Sequence, residues 1–234
     1  MSPHMHASGS GITRPRLKTP RAAAWAGIAF ALLYGSALLL IRISVPADVG
    51  TEGEWLVQHL GAVRIGLTLI PFAGIAFLWF MGVIRDRLGA LEDQCFSTVF
   101  FGSGILLIAM IFVSAALAGG LLTAYSADGE LLLETGTYAI HRAVIYQTTN
   151  IFGIKMAGVF MISLATIWLR TQIMPRWIVM ATYGVALILI IVIAFNVWIT
   201  LLFPTWVFLV SVYILFAMRQ SEEDMPTTPG GTNA

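Results

Sequence analysis

Apolar residues run along this chain in long blocks. Residues 22–41, 65–84, 94–127 and 177–218 contain no Asp, Glu, Lys or Arg, and 143–169 is interrupted by one charge, Lys155. A helix needs about 20 apolar residues to cross a bilayer core. The blocks therefore predict spans over about 22–43, 60–84, 96–121 and 148–170. The last block holds 42 residues, enough for two spans, with a tight hairpin placed near 197–202. The expected fold is all-α: a polytopic transmembrane bundle of six helices.

Cations orient it. One set of predicted loops carries nine Lys and Arg, and the other carries Arg42, Arg64 and Arg142. Cytoplasmic loops carry the excess of cations, so both termini are expected in the cytoplasm. The 20-residue apolar run from Ala22 to Ile41 is longer than the core of a cleaved signal and follows a basic tail, as a first span does. Residues 1–21 and 220–234 read as disordered cytoplasmic tails around one transmembrane domain over 22–219. Residues 137–147 read as a short helix lying in the membrane interface, with Tyr138 and Tyr146 at headgroup depth.

Composition narrows the function classes. The chain is 58% hydrophobic and 11% charged, with net charge +1, so nucleic acid is not an expected partner. A single cysteine, Cys95, excludes an intramolecular disulfide and paired-thiolate metal sites. No G-x-S-x-G, H-E-x-x-H or G-x-x-x-x-G-K occurs, and no predicted span holds a carboxylate. Catalysis and proton coupling through a buried acid are therefore not indicated, and no cofactor is implied. His59 and His141 are isolated histidines on different segments, weak as haem ligands.

Two groups of charged residues stand out. Arg85, Asp86 and Arg87 end the second span, and Glu92 and Asp93 precede the third. Cations suit a helix C-terminus and anions an N-terminus, so this hairpin reads as a structural clamp. The second group lies towards the outer side: Arg42, Arg64, His141, Arg142 and Lys155. Lys155 precedes Arg170 by 15 residues, roughly 22 Å along a helix. Arg64, Thr68 and Pro71 share one helix face. Intramembrane cations line a cavity, meet a partner or snorkel to the interface. The group is thus either an anion or lipid-headgroup site or a set of snorkelling side chains. Small-xxx-small pairs at Ser114/Ala118, Ala115/Gly119, Ala116/Gly120 and Gly153/Ala157 read as close helix packing.

The segment from Phe77 to Gly89, continuing through Glu92-Asp93 to Phe101-Gly102-Ser103-Gly104, resembles an uncharacterised family of small multi-pass membrane proteins from actinobacteria. So does Lys155-Met156-Ala157-Gly158-Val159-Phe160-Met161 with Pro175-Arg176-Trp177. The resemblance covers about residues 22–218 and implies a bacterial plasma (inner) membrane protein. It transfers no functional residue. Two readings follow. One is an accessory or interaction subunit without catalysis, with membrane lipids, another membrane protein or a second copy as partners. The other is a small transporter or lipid- or anion-binding protein using the outer cations.

Overall fold

The computed structural model describes residues 19–45, 54–88, 94–134, 136–191 and 197–223. Within them every regular element is helical. The long elements are α1 (Thr19–Ser44), α2 (Glu54–Leu88) and α3 (Gln94–Ala127). Short α4 (Gly129–Glu134) and α5 (Thr137–Tyr146) follow. A π-helical turn (Gln147–Gly153) leads into α6 (Ile154–Thr171). Then come α7 (Arg176–Ile191), a 3-10 helix (Val197–Leu201) and α8 (Leu202–Glu223). Five helices are long and apolar enough to cross a membrane, and α7 is a shorter apolar helix. The chain is an all-helical, multi-pass membrane protein.

The short helix expected over 137–147 forms as α5, but it is not separate from the span that follows. Tyr146 and Ile154, on either side of the π turn, both keep right-handed helical backbone angles. α5, the π turn and α6 therefore make one rod of 35 residues, Thr137–Thr171. In the polar run Gln147-Thr148-Thr149-Asn150, two side chains bond back within the rod. Thr148 Oγ1 donates to the Val144 carbonyl at 2.8 Å and Asn150 Nδ2 to the Tyr146 carbonyl at 3.1 Å. The same economy recurs at Ser163, Thr166, Thr171 and Thr182, whose hydroxyls bond the carbonyl four residues back. A hydroxyl thus enters a membrane helix without leaving an unpaired donor in lipid.

Other boundaries shift too. α3 runs beyond the span expected over 96–121, through Tyr125 and Ser126 to Ala127, and Asp128 alone separates it from α4. The Asp128 carboxylate accepts the Leu131 N–H at 3.0 Å and caps α4. The hairpin expected near 197–202 is a 3-10 helix running straight into α8. α8 stays helical to Glu223, so the expected tail from 220 begins inside a helix.

Aromatic rings fill the centre. Phe30, Phe77, Phe80, Phe100 and Phe160 are essentially inaccessible. Phe77 lies 5.2 Å from Phe160 and 5.7 Å from Phe203, centroid to centroid. Trp206 continues the stack towards Trp168 and donates its Nε1 hydrogen to Thr182 Oγ1 at 3.0 Å. Helices come close at glycines. A Cβ on Gly27 would collide with Ser211 Oγ and the Phe80 ring, and one on Gly158 would meet Ile190. The outer faces stay apolar, with Trp25, Phe72, Trp79 and Trp177 each more than half exposed, as a surface solvated by lipid requires.

The bundle has two unlike ends. At the Arg170 end, Arg85 lies over the Phe101 ring at 4.8 Å and Arg170 over Phe96 at 4.5 Å. At the Arg42 end, α4 and α5 fold over α2 and α3, burying Leu132 and Tyr138 with Val63, Leu121 and Leu122. The described parts of α7 and α8 stop short of that end. Ile190 packs at Gly158, and Thr200 and Phe203 sit level with Gly153, Ile154 and Ala157. Among the described residues, α1, α2, α3 and the α5–π rod continue beyond that level.

Candidate functional site

Between these four elements lies a slot of about 160 Å³, partly open to the outside. Its walls are Tyr34, Leu38 and Ile41 from α1, Val63, Leu67 and Ile70 from α2, and Ile111 to Leu122 on α3. Between Tyr34 and Arg42 α1 rises about 12 Å, and α3 rises about 16 Å along its wall. The slot is therefore about as long as half the thickness of a bilayer core, which is about 30 Å.

The room comes from small side chains. Ser114, Ala115 and Ala118 all line the slot. A Cβ on Gly119 or Gly120 would meet nothing within 4 Å. The small-residue pattern late in α3, expected to bring helices together, keeps a space open here. Gly153 and Ala157 do pack inward, Gly153 against Met110 of α3.

Polar groups gather at the mouth and along the π turn. Arg42 reaches from α1 to the rod, where Nη2 donates to Asn150 Oδ1 at 2.9 Å. The Asn150 amide is fixed in that sense because its nitrogen is given to the Tyr146 carbonyl. Arg42 Nε is buried with no hydrogen-bond partner. Arg142 lines the same slot, its guanidinium 5.9 Å from the Tyr138 ring centroid and donating to the Tyr138 hydroxyl at 3.4 Å. Deeper in, Ser114 and Thr149 share a hydrogen bond between α3 and the π turn. Tyr34 closes the bottom. It is 6% exposed and stacked on Phe30 at 5.4 Å. It also lines a second cavity of about 20 Å³ beneath, with Thr149 and Thr200. Among the described residues no Asp or Glu lines either cavity.

The five outer residues singled out by sequence separate. Arg42 and Arg142 come together at the slot, while Arg64, His141 and Lys155 line neither cavity. Arg64, Thr68 and Pro71 do share a face, and all three are exposed on it. Thr68 Oγ1 bonds the Arg64 carbonyl at 2.9 Å. His141 is half-buried, with Nδ1 2.9 Å from the Thr137 carbonyl, and His59 is exposed on α2. Lys155 is half-buried on α6. In the other group, Arg85 and Asp86 are exposed at the end of α2. Arg85 meets a ring of α3. The side chain of Arg87, and Glu92 and Asp93 altogether, lie outside the described residues.

Sequence reasoning passed over Asn150, Tyr34, Ser114, Thr149 and Tyr146. The available signal was Asn150, an amide inside an otherwise apolar run, eight residues from Arg142 and therefore on the same rod. Its partner Arg42 is 108 positions away, a separation no local pattern spans.

No protein family, no curated protein and no solved structure matches the chain.

Proposed function

We propose that this chain is a lipid- or anion-binding protein of the bacterial plasma membrane. In this reading it crosses the bilayer six times with both ends in the cytoplasm, and the slot between Arg42 and Arg142 takes an anionic amphiphile from the outer leaflet. The supporting observation is the composition of the mouth: two guanidiniums and, among the described residues, no carboxylate, above apolar walls. A cation in the outer part of the membrane costs about 2.5–3.5 kcal/mol even on the mildest scale. An anionic ligand offsets that cost, and hydrocarbon suits the walls.

The six-span count takes α7 as a crossing together with residues 192–196, which are Val-Ile-Ala-Phe-Asn. It is supported by Trp177 against Tyr213 and Thr182 against Trp206, which set α7 antiparallel to α8. The nine-to-three bias of cations supports the orientation. A cysteine introduced at Asp128, in a Cys95→Ser background, should react with a membrane-impermeant maleimide added outside intact cells. Reaction from the cytoplasmic side alone would reverse the orientation.

Binding is tested on the purified full chain by native mass spectrometry with lipid extraction. Wild type should carry an anionic amphiphile that Arg42→Gln and Arg142→Gln lose. Identical lipid content in all three proteins would remove the binding role and leave the accessory-subunit reading.

A further inference from the structure

We infer that the ligand of the slot has one hydrocarbon chain and one anionic head, a carboxylate or a monoester phosphate. This rests on the amphiphile-binding reading above and narrows it. The volume speaks first. An apolar cavity of about 150 Å³ holds a single benzene. Here about 160 Å³ is drawn out over about 12 Å of helix, which leaves a passage one chain wide.

The side wall speaks next. A two-chain lipid seated by its head would need its second chain to leave between α1 and the α5–π rod. That gap is the one crossed by the Arg42–Asn150 hydrogen bond. α1 rests otherwise on α2 and α8, and α5 and the π turn on α3, so the arginine is the strap across the opening. The bottom is closed by Tyr34 on its aromatic bed, with the α7–α8 pair below. A chain entering from the mouth thus ends near the bilayer midplane.

The head is set by what the mouth lacks. Arg42 has one donor committed to Asn150 and a buried Nε without an acceptor. A guanidinium has donors only and pairs best with carboxylate or phosphate oxygens. Either anion would complete the fork beside Arg142.

The test uses the full chain in nanodiscs of neutral phosphatidylcholine. The probes are oleate, a monoacyl phosphate, the two-chain anion phosphatidylglycerol, and inorganic phosphate. Bound mass and shift in thermal midpoint are read for each. One or both single-chain anions should bind, and the stronger of the two identifies the head. Arg42→Gln and Arg142→Gln should each weaken that binding about tenfold or more, as loss of a charge-assisted bond does. Ala118→Phe, which fills the slot without touching charge, should abolish it. Ala116→Phe, on an exposed position of the same helix, should leave it unchanged. If Ala118→Phe lowers folded yield, Ala115→Leu carries the same expectation.

Phosphatidylglycerol binding with equal strength and equal sensitivity at Ala118 would overturn the single-chain inference while leaving the amphiphile reading intact. Inorganic phosphate binding as tightly as the chained anions would show a head site without a chain slot, and also overturn it. Binding of every probe unaffected by Arg42→Gln would bring down both.

Discussion

The centre of the bundle and the slot above it share α1, α2 and α3, and they are filled in opposite ways. At the centre α1, α2, α3, α6 and α8 each contribute at least one fully or nearly fully buried ring, Phe30, Phe77, Phe100, Phe160 and Phe203. About two to five turns further along, α1, α2 and α3 present Leu38, Leu67, Ala115 and Ala118 to the slot. The described residues of α7 and α8 take part in the first region and not in the second. The difference teaches that the size of the facing side chains decides whether a region of the bundle fills: rings meet at the centre, whereas Ser114, Ala115 and Ala118 leave room at the slot.

The sharpest way to break this comparison is to empty the centre. Phe160 is inaccessible and touches Phe77, Phe100, Phe203 and Trp206. Phe160→Ala should cost about 3–5 kcal/mol, since a cavity in a packed core keeps its full penalty. Unfolding in mixed detergent micelles, followed by circular dichroism, measures it. A loss below about 1 kcal/mol would mean the centre is as loosely filled as the slot.

A smaller effect is expected where α1 meets α8. Gly27→Ala drives a methyl into Ser211 Oγ and the Phe80 ring, and should cost about 1–3 kcal/mol by overpacking. The pair Gly27→Ala/Ser211→Ala should recover part of that loss, because it removes the atom the methyl meets. No recovery would place the strain at Phe80 instead.

The smallest effect has the opposite sign. Gly119 of α3 has open space at its Cβ position, so Gly119→Ala should stabilise the chain by about 0.5–1 kcal/mol through helix propensity alone. The same unfolding assay reads it. Destabilisation would show that α3 is approached there by a neighbour, and the small residues would return to a packing role.

The two ends of the bundle carry the same contrast in charge. Arg85 and Arg170 rest on rings of α3, a cation–π contact that leaves the charged head near water. Arg42 is turned across the bundle to an amide. In sequence all three are cations at the end of an apolar run, and nothing in those runs separates them. What differs is the opposing helix, which offers Phe96 and Phe101 at one end and Asn150 at the other.

The sequence alone determined that this is a helical membrane protein, and where most helices begin and end. That information is one-dimensional: the length of an apolar run is compared with the thickness of a bilayer, and Pro, Gly and charge mark the limits. It also picked out Arg42 and Arg142, because a cation near hydrocarbon is conspicuous wherever the helix turns. It could not place them in one slot with Asn150 and Tyr34 while leaving Arg64 and Lys155 aside. In a soluble protein the polar face of a helix reveals which side is buried. Here lipid is as apolar as the core, so α3 is hydrophobic on every side and its sequence does not say which side faces Ser114's partner Thr149. The join of α5 to α6 through a π turn and the Arg42–Asn150 bond were decided only when the helices packed. Each depends on contacts between segments far apart in the chain, which no local pattern of residues records.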